Sequence, residues 1–203
     1  MNSSFTQETI DDVIAFHGHS CPGLAIGIRA AEYACRELAD SEPADLVCVT
    51  ETDMCGVDAI QFLTGCTFGK GNLIHRDYGK MAFTFYDRAR QQGIRIVLND
   101  EATASEREEM TRLMAKSGEG SITELEREML AGMRQKTRQR LMAAPLEELF
   151  HQTELVTPIP RSARVLQGLV CERCQEKTME SRTRRFAGKT LCIPCFEMVE
   201  QKV

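Results

Sequence analysis

The hydrophobic positions of the first 150 residues follow two different spacings, and together they predict a domain of mixed helices and strands. Apolar residues recur every three or four positions through residues 24–38, the pattern of a helix with a buried face. Residues 46–50 form a short apolar run rich in β-branched side chains, which predicts a buried strand. Further strands are predicted at residues 73–75, 81–86 and 94–98. The chain is therefore predicted to have an α+β core.

Capping signals predict where three of the helices begin. In a capping box, a Ser or Thr side chain and a Glu or Gln three residues later satisfy each other's backbone N–H groups. The spacing occurs at Ser4–Gln7, before an apolar stripe through residues 10–14, and again at Ser105–Glu108 and Ser121–Glu124. The helix that follows Ser121 is predicted to be long, amphipathic and rich in Arg and Lys.

A change in composition near residue 157 predicts a second domain. Residues 157–160 read Thr-Pro-Ile-Pro, and two prolines stiffen a segment while blocking both helix and central strand. We therefore predict an α+β core domain over residues 1–156. Residues 157–203 are predicted to hold a linker and a small four-cysteine zinc-finger domain.

Charge and cysteine usage restrict the cellular setting. The chain has a net charge of −5, but its segment from Arg161 onward holds nine Lys or Arg against five Asp or Glu. A mildly basic module on an acidic body permits a polyanionic partner without requiring one. The N-terminus lacks a signal-peptide pattern, and no apolar run is long enough to cross a membrane. We predict a cytoplasmic protein whose nine cysteines are reduced.

The last four cysteines have the spacing of a structural zinc site. They form a C-x2-C-x17-C-x2-C frame, and two such knuckles place four thiolates at the corners of a tetrahedron. The frame resembles the four-cysteine zinc finger of the DksA/TraR family, and the predicted order of strand, knuckle and helix suggests a treble clef. Unliganded or redox cysteines are the alternative, disfavoured because so short a segment needs a staple to fold. The predicted ligands are Cys171, Cys174, Cys192 and Cys195.

A second group of metal-binding and nucleophilic side chains lies near the N-terminus. His17, His19 and Cys21 occupy a turn broken by glycine and proline, and imidazole and thiolate are good ligands for zinc and related metals. Cys21 and Cys55 are each predicted to lie at a helix N-terminus, where the helix dipole favours a thiolate. The same residues fit a different chemistry, in which Cys21 or Cys55 is a nucleophile and His17 or His19 is its base.

The remaining candidates have weaker signals. Asp53 or Asp58 is positioned to bind a metal or accept a proton, and Cys66 stays undecided. The other polar and sulfur-bearing candidates are predicted to pack or to lie at the surface: Cys35 and Cys48 in the core, His75 and His151 in surface or structural positions, and residues 69–72 in a plain turn.

Three segments carry a family resemblance. Residues 16–24 (FHGHSCPGL), 53–59 (DMCGVDA) and 65–73 (GCTFGKGNL) resemble the FmdE family, which is named after a component of formylmethanofuran dehydrogenase. The resemblance extends from about Ile10 to Phe150. It implies an α+β core, an intertwined homodimer and a C-terminal treble-clef finger. The core site that it implies consists of His17, His19, Cys21 and Cys55, with Asp53, Asp58 and Cys66 as second choices.

These observations lead to one predicted function and two alternatives. We predict a metal-binding FmdE-like protein, accessory to a molybdenum or tungsten formylmethanofuran dehydrogenase-type oxidoreductase system, with zinc in the finger and a second, unidentified metal in the core. One alternative is an enzyme with a cysteine nucleophile at the core site. The other is a metal-sensing regulator that contacts nucleic acid or protein through the finger, where Arg182, Arg184 and Arg185 lie between the knuckles.

Overall fold

The structure is a computed structural model that describes residues 3–42, 44–104, 107–155 and 157–200. It divides into two compact units, Met1–Ser162 and Ala163–Val203. No helix among the described residues is both long and apolar enough to span a membrane.

The first unit alternates helices with a sheet, which confirms the predicted α+β core. Its elements, in chain order, are α1 (Gln7–His17), α2 (Pro22–Glu37), β1 (Leu46–Thr50), α3 (Gly56–Thr64), β2 (Leu73–His75), β3 (Ala82–Asp87), β4 (Gln92–Leu98), a 3-10 turn (Asp100–Thr103), α4 (Arg107–Gly118), α5 (Glu124–Ala143), α6 (Leu146–Leu149) and β5 (Phe150–Thr153).

The five strands form one sheet in the order β2-β1-β3-β4-β5. The pairing of β1 with β2 is parallel, and the other three pairings are antiparallel. Because β1 lies between β2 and β3, it is buried along its whole length. Thr50, its last residue, is followed by the short loop that leads to Cys55 and α3.

The main hydrophobic core lies between the sheet and helix α2. Cys48, Phe83 and Ile96 pack in one buried cluster with Leu24 and Ile28 of that helix. Cys48 is fully buried, which confirms its predicted packing role.

The prediction for Cys35 is wrong, because Cys35 is exposed. Helix α2 is buried on every side from Leu24 to Ala34, and its last turn is open to solvent. The apolar stripe continues through Cys35 in the sequence, but no described element covers this side chain.

The second face of the sheet is covered by the segment predicted as a linker. Ile159 packs beside Val47, Val49 and Tyr86. The Tyr86 hydroxyl lies 2.9 Å from Thr157 Oγ1, and the Arg88 guanidinium donates hydrogen bonds to the backbone carbonyls that follow. Thr157 and its neighbours therefore belong to the surface of the first unit, and the compact units divide after Ser162. The domain boundary after residue 156 stays a prediction.

Two of the predicted helix caps are displaced by two residues, and the third, Ser105, lies outside the described residues. Thr6 rather than Ser4 caps α1, because its side chain accepts the Thr9 N–H. Helix α5 starts with a capping box of Thr123 and Glu126 instead of the predicted pair. This later start leaves Ile122 free to pack in the small core between α4 and α5.

The second unit is small and built from short strands. Its elements are β6 (Gly168–Val170), β7 (Lys177–Met179), a 3-10 turn (Glu180–Arg182), β8 (Thr183–Phe186), β9 (Lys189–Cys192) and α7 (Ile193–Glu200). The strands pair as two antiparallel hairpins. The treble-clef assignment stays a prediction.

Helices α2 and α3 meet through glycine residues. A Cβ atom on Gly27 would lie 2.0 Å from the backbone oxygen of Gly56, and one on Gly56 would lie 2.9 Å from the oxygen of Gly23. Because backbone atoms cannot rotate out of the way, only glycine permits this contact. The first turn of α2 and the start of α3 are thereby held side by side.

The substitution Gly27→Ala tests this contact. We expect it to lower the free energy of unfolding by about 3 kcal/mol, since the added methyl group overlaps a backbone carbonyl. The control is Gly132→Ala in α5, where an added Cβ meets no atom within 4 Å. That variant should gain about 0.5–1 kcal/mol from helix propensity. Urea unfolding followed by circular dichroism measures both, and equal stability of the two variants would contradict the close packing.

Candidate metal centres

Three elements bring the predicted N-terminal residues into one cluster. Helix α1 ends at His17, the turn carries His19, and Cys21 and Cys55 precede helices α2 and α3. One donor atom from each of the four side chains lies within 4.8 Å of the others. The structure therefore places together all four residues that the family resemblance implies.

Gly18 makes the turn that joins the two histidines. Its φ is 88°, in the left-handed region, and its N–H caps α1 by donating to the Ile14 carbonyl. The reversal at Gly18 brings the ring of His19 to 4.4 Å from the ring of His17, measured between centroids. His19 is exposed, so it forms the solvent side of the cluster.

His17 is oriented by a carboxylate from α3. Its Nδ1 lies 2.7 Å from Asp58 Oδ2, and because a carboxylate only accepts, Nδ1 donates the proton. The other nitrogen, Nε2, is buried and has no hydrogen-bond partner among the described residues. A ring held in this way presents a lone pair at Nε2, the arrangement by which carboxylates orient metal-binding histidines.

Asp58 thus positions a donor and is not one of the four clustered donors. The other two second choices lie apart from the cluster. Asp53 is exposed, and Cys66 is fully buried with its thiol directed at the Leu46 carbonyl.

The two thiols of the cluster lie where predicted, at the N-terminal ends of helices. Cys21 Sγ accepts the Leu24 N–H at 3.3 Å, whereas Cys55 makes no such bond to α3. Burial raises the pKa of the Cys55 thiol, and the adjacent Cys21 raises it further. This direction is opposite to the depressed pKa of a preactivated nucleophile, whereas a bound divalent cation favours the thiolate.

Gly23 leaves the space that the two sulfur atoms need. A Cβ at this position would lie 3.3 Å from Cys55 Cβ, 3.8 Å from Cys55 Sγ and 3.9 Å from Cys21 Sγ. The glycine contact between α2 and α3 therefore also sets the separation of the thiols. Its signal in the sequence is the i, i+4 spacing of Gly23 and Gly27.

The second cluster is formed by the four C-terminal cysteines, whose sulfur atoms all lie within 4.8 Å of one another. The sulfur atoms of Cys174 and Cys192 are 3.8 Å apart. Four Zn–S bonds of about 2.3 Å in a tetrahedron separate neighbouring sulfur atoms by about 3.8 Å. The cysteines are free and unbridged, so this donor set fits a zinc ion.

Backbone N–H groups prepare the finger for thiolate binding. The N–H groups of Cys174 and Cys192 donate to Cys171 and lower the pKa of its thiol to about 6. The thiol of Cys195 shows the opposite shift, because the neighbouring Cys192 sulfur raises its pKa to about 12. Crowded sulfur atoms of this kind require a cation before all four can ionise together.

The other sequence candidates remain outside both clusters. His75 and His151 are exposed, as predicted. The side chains of Arg182, Arg184 and Arg185 are also exposed and form no ion pair with a carboxylate in the part of the chain that the structure describes.

Two family models match the chain. Residues 16–151 match "FmdE, Molybdenum formylmethanofuran dehydrogenase operon". Residues 167–201 match the "Prokaryotic dksA/traR C4-type zinc finger". The first match contains the whole N-terminal cluster, and the second contains the four finger cysteines.

Two known proteins are similar over most of the chain. A "Probable S-adenosyl-L-methionine-binding protein" of Archaeoglobus fulgidus is 32% identical over 190 residues, which cover 89% of this chain and 50% of that protein. The chain thus spans half the length of this relative. The crystal structure of an FmdE-like protein of the tungsten formylmethanofuran dehydrogenase type, from Syntrophus aciditrophicus, has a similar fold, with a TM-score of 0.64 and 21% identity. That alignment covers 98% of this chain and 96% of the other.

The substitution Asp58→Asn tests the orienting role of the carboxylate. We expect it to weaken metal binding at the N-terminal cluster by about 10- to 100-fold, since the His17 ring loses its anionic partner. Co(II) titration measures this, because a site with two nitrogen and two sulfur donors has ligand-field bands distinct from those of a four-sulfur site. Asp53→Asn, which changes an exposed carboxylate outside the cluster, should leave the affinity unchanged.

Removal of the finger metal should unfold the second unit. Its buried cluster consists of Leu191 and three of the cysteines, with Phe196 packed beside them, which is too little apolar surface for an independent core. Treatment with a zinc chelator should abolish amide-exchange protection over residues 168–200. Strand β3 serves as the internal control and should stay protected. Retained protection in the finger after metal loss would contradict this account.

Proposed function

This chain belongs to the FmdE family, and from that premise we propose that it is a metal-binding protein with two centres of different purpose. The donors His17, His19, Cys21 and Cys55 bind one transition-metal ion at the core site. The four finger cysteines hold a structural zinc ion.

The buried Nε2 of His17 is the observation that carries the core-site proposal. A buried ring nitrogen without a partner loses free energy relative to a hydrated one, so such atoms are rare unless a ligand satisfies them. The other three donors surround this nitrogen, and Asp58 holds the tautomer that leaves its lone pair free.

The donor chemistry limits the choice of metal. Two imidazoles and two thiolates suit zinc and borderline metals such as cobalt or iron, and they do not suit magnesium or calcium. Two thiolates also neutralise a divalent ion, which lowers the cost of placing it beside buried side chains. A bound ion supplies Lewis acidity at this position, next to the exposed ring of His19.

An accessory role in a molybdenum or tungsten oxidoreductase system is the wider proposal. The description of the matching family names a molybdenum formylmethanofuran dehydrogenase operon. A reciprocal co-purification of this chain with such an oxidoreductase tests the role, and failure of the two proteins to associate in either direction counts against it.

A homodimer in the cytoplasm is part of the same proposal. Phe16 and Phe62 pack with ring centroids 5.7 Å apart at the edge of the core site, yet they are 57% and 41% exposed. Large apolar side chains that stay exposed in a single copy support a covering partner. Light scattering of the purified chain measures the state, and a monomer at all concentrations contradicts the dimer.

Two further candidate functions each rest on one observation. The exposed Arg182, Arg184 and Arg185, which pair with no described carboxylate, support contact of the finger with nucleic acid or an acidic protein. Nucleic-acid binding should then weaken steeply with salt. The 32% identity to the Archaeoglobus relative supports binding of S-adenosyl-L-methionine. Calorimetric titration of the full chain with that compound tests the second, and an absence of heat contradicts it.

Metal analysis of single variants tests the two-centre proposal. We expect about two metal ions per parent chain and about one in Cys21→Ser or Cys55→Ser, because a missing thiolate opens the core site without touching the finger. Plasma mass spectrometry of the purified proteins gives the count and the element together.

The matched control is Cys35→Ser. Cys35 lies on the same helix as Cys21 but is exposed and outside both clusters, so its loss should leave the count unchanged. An unchanged count in the Cys21 and Cys55 variants would overturn the core metal site.

A further inference from the structure

A narrow cleft opens beside the core site, between helices α1, α2 and α5. Cys21, a proposed metal ligand, also forms part of the cleft wall. Most of the remaining lining is aliphatic, and the side chains concerned are Ile10, Ile14, Leu24, Ala25, Ile28 and Met142. Ser20 and Arg138 are the other polar residues at the cleft.

Arg138 is the unusual member of this lining. Its guanidinium is half-buried on α5, and it has no hydrogen bond or ion pair to any described residue. The other partly or fully buried arginines Arg29 and Arg95 both bind carboxylates, Glu32 and Glu51 respectively. A guanidinium beside aliphatic side chains without an anion is poorly compensated, and an anionic ligand supplies what it lacks.

We propose that this cleft binds a small organic monocarboxylate. The carboxylate pairs with the Arg138 guanidinium, and the aliphatic part lies between Ile14, Leu24 and Ile28. A single planar guanidinium matches one carboxylate in bidentate geometry. The apolar walls favour an alkyl chain over a sugar or a nucleotide, whose hydroxyl groups would be buried without partners.

The cleft and the metal centre share Cys21, so ligand binding and metal coordination are coupled. An alkyl group against the sulfur removes water from one side of the metal ligand and changes its hydrogen bonding. This coupling rests on the proposed function, because it requires Cys21 to bind a metal. The pairing of the carboxylate with Arg138 does not require it.

Butyrate is the probe for this site, with uncharged butyramide as its isosteric control. In calorimetric titration of the metal-loaded full chain, we expect saturable butyrate binding in the millimolar range, the affinity that so small a ligand can reach. Butyramide should bind about tenfold more weakly or worse, because it cannot form the charge-assisted pair. In the Co(II)-substituted protein, butyrate should also shift the ligand-field bands of the core site.

Two variants locate the ligand. Arg138→Met keeps the length of the side chain and should abolish the preference for butyrate over butyramide, whereas Arg134→Met, one helical turn earlier and outside the lining, should preserve it. Ile14→Phe fills the apolar end of the cleft and should weaken both probes. Because Ile14 and Arg138 are only partly buried, both variants are expected to fold, and thermal melting checks this.

The outcomes separate this inference from the proposed function. Arg138-dependent butyrate binding supports the cleft even if metal analysis finds no core ion, in which case the coupling and the proposed function fail. No saturable butyrate binding, equal binding of both probes, or binding insensitive to Arg138→Met overturns the inference. It is likewise overturned if Ile14→Phe dissociates a dimer without affecting butyrate, because a second copy then covers the cleft.

Discussion

The contact between Gly23, Gly27 and Gly56 is the constraint on which the core site depends. It allows the backbones of α2 and α3 to approach more closely than any side chain permits. The two helices begin immediately after Cys21 and Cys55, so their N-terminal ends come together and their thiols with them. Any larger residue at this contact would separate the helices and, with them, the sulfur ligands.

The histidines complete the site through α1 and the same α3. Helix α1 ends at His17, and the left-handed Gly18 directs His19 back over it. Asp58 lies one turn into α3, where its carboxylate reaches the His17 ring. Helix α3 therefore contributes a thiol and orients an imidazole, so that one element controls two of the four donors.

The two centres relate to folding in opposite ways. The core site lies at the edge of a unit whose hydrophobic core, between α2 and the sheet, is complete without it. In the finger, three of the four buried core residues are themselves cysteines, so the metal ion takes the place of a hydrophobic core. Loss of metal should therefore cost the first unit its site and the second unit its fold.

Local patterns in the sequence were enough to predict the α+β core, the buried strand containing Cys48, the finger ligands and the helix positions of Cys21 and Cys55. These features follow from hydrophobic spacing, turn residues and short ligand frames, which act over a few neighbouring positions. The grouping of the four N-terminal donors came from family resemblance, since nothing local connects Cys55 to His17. Only the tertiary structure decided that Asp58 orients His17, that Cys35 is exposed, and that Arg138 lies beside Cys21 without a partner among the described residues. Each of these depends on contacts between elements far apart in the chain, whose geometry is set by packing and leaves no periodic trace in the sequence.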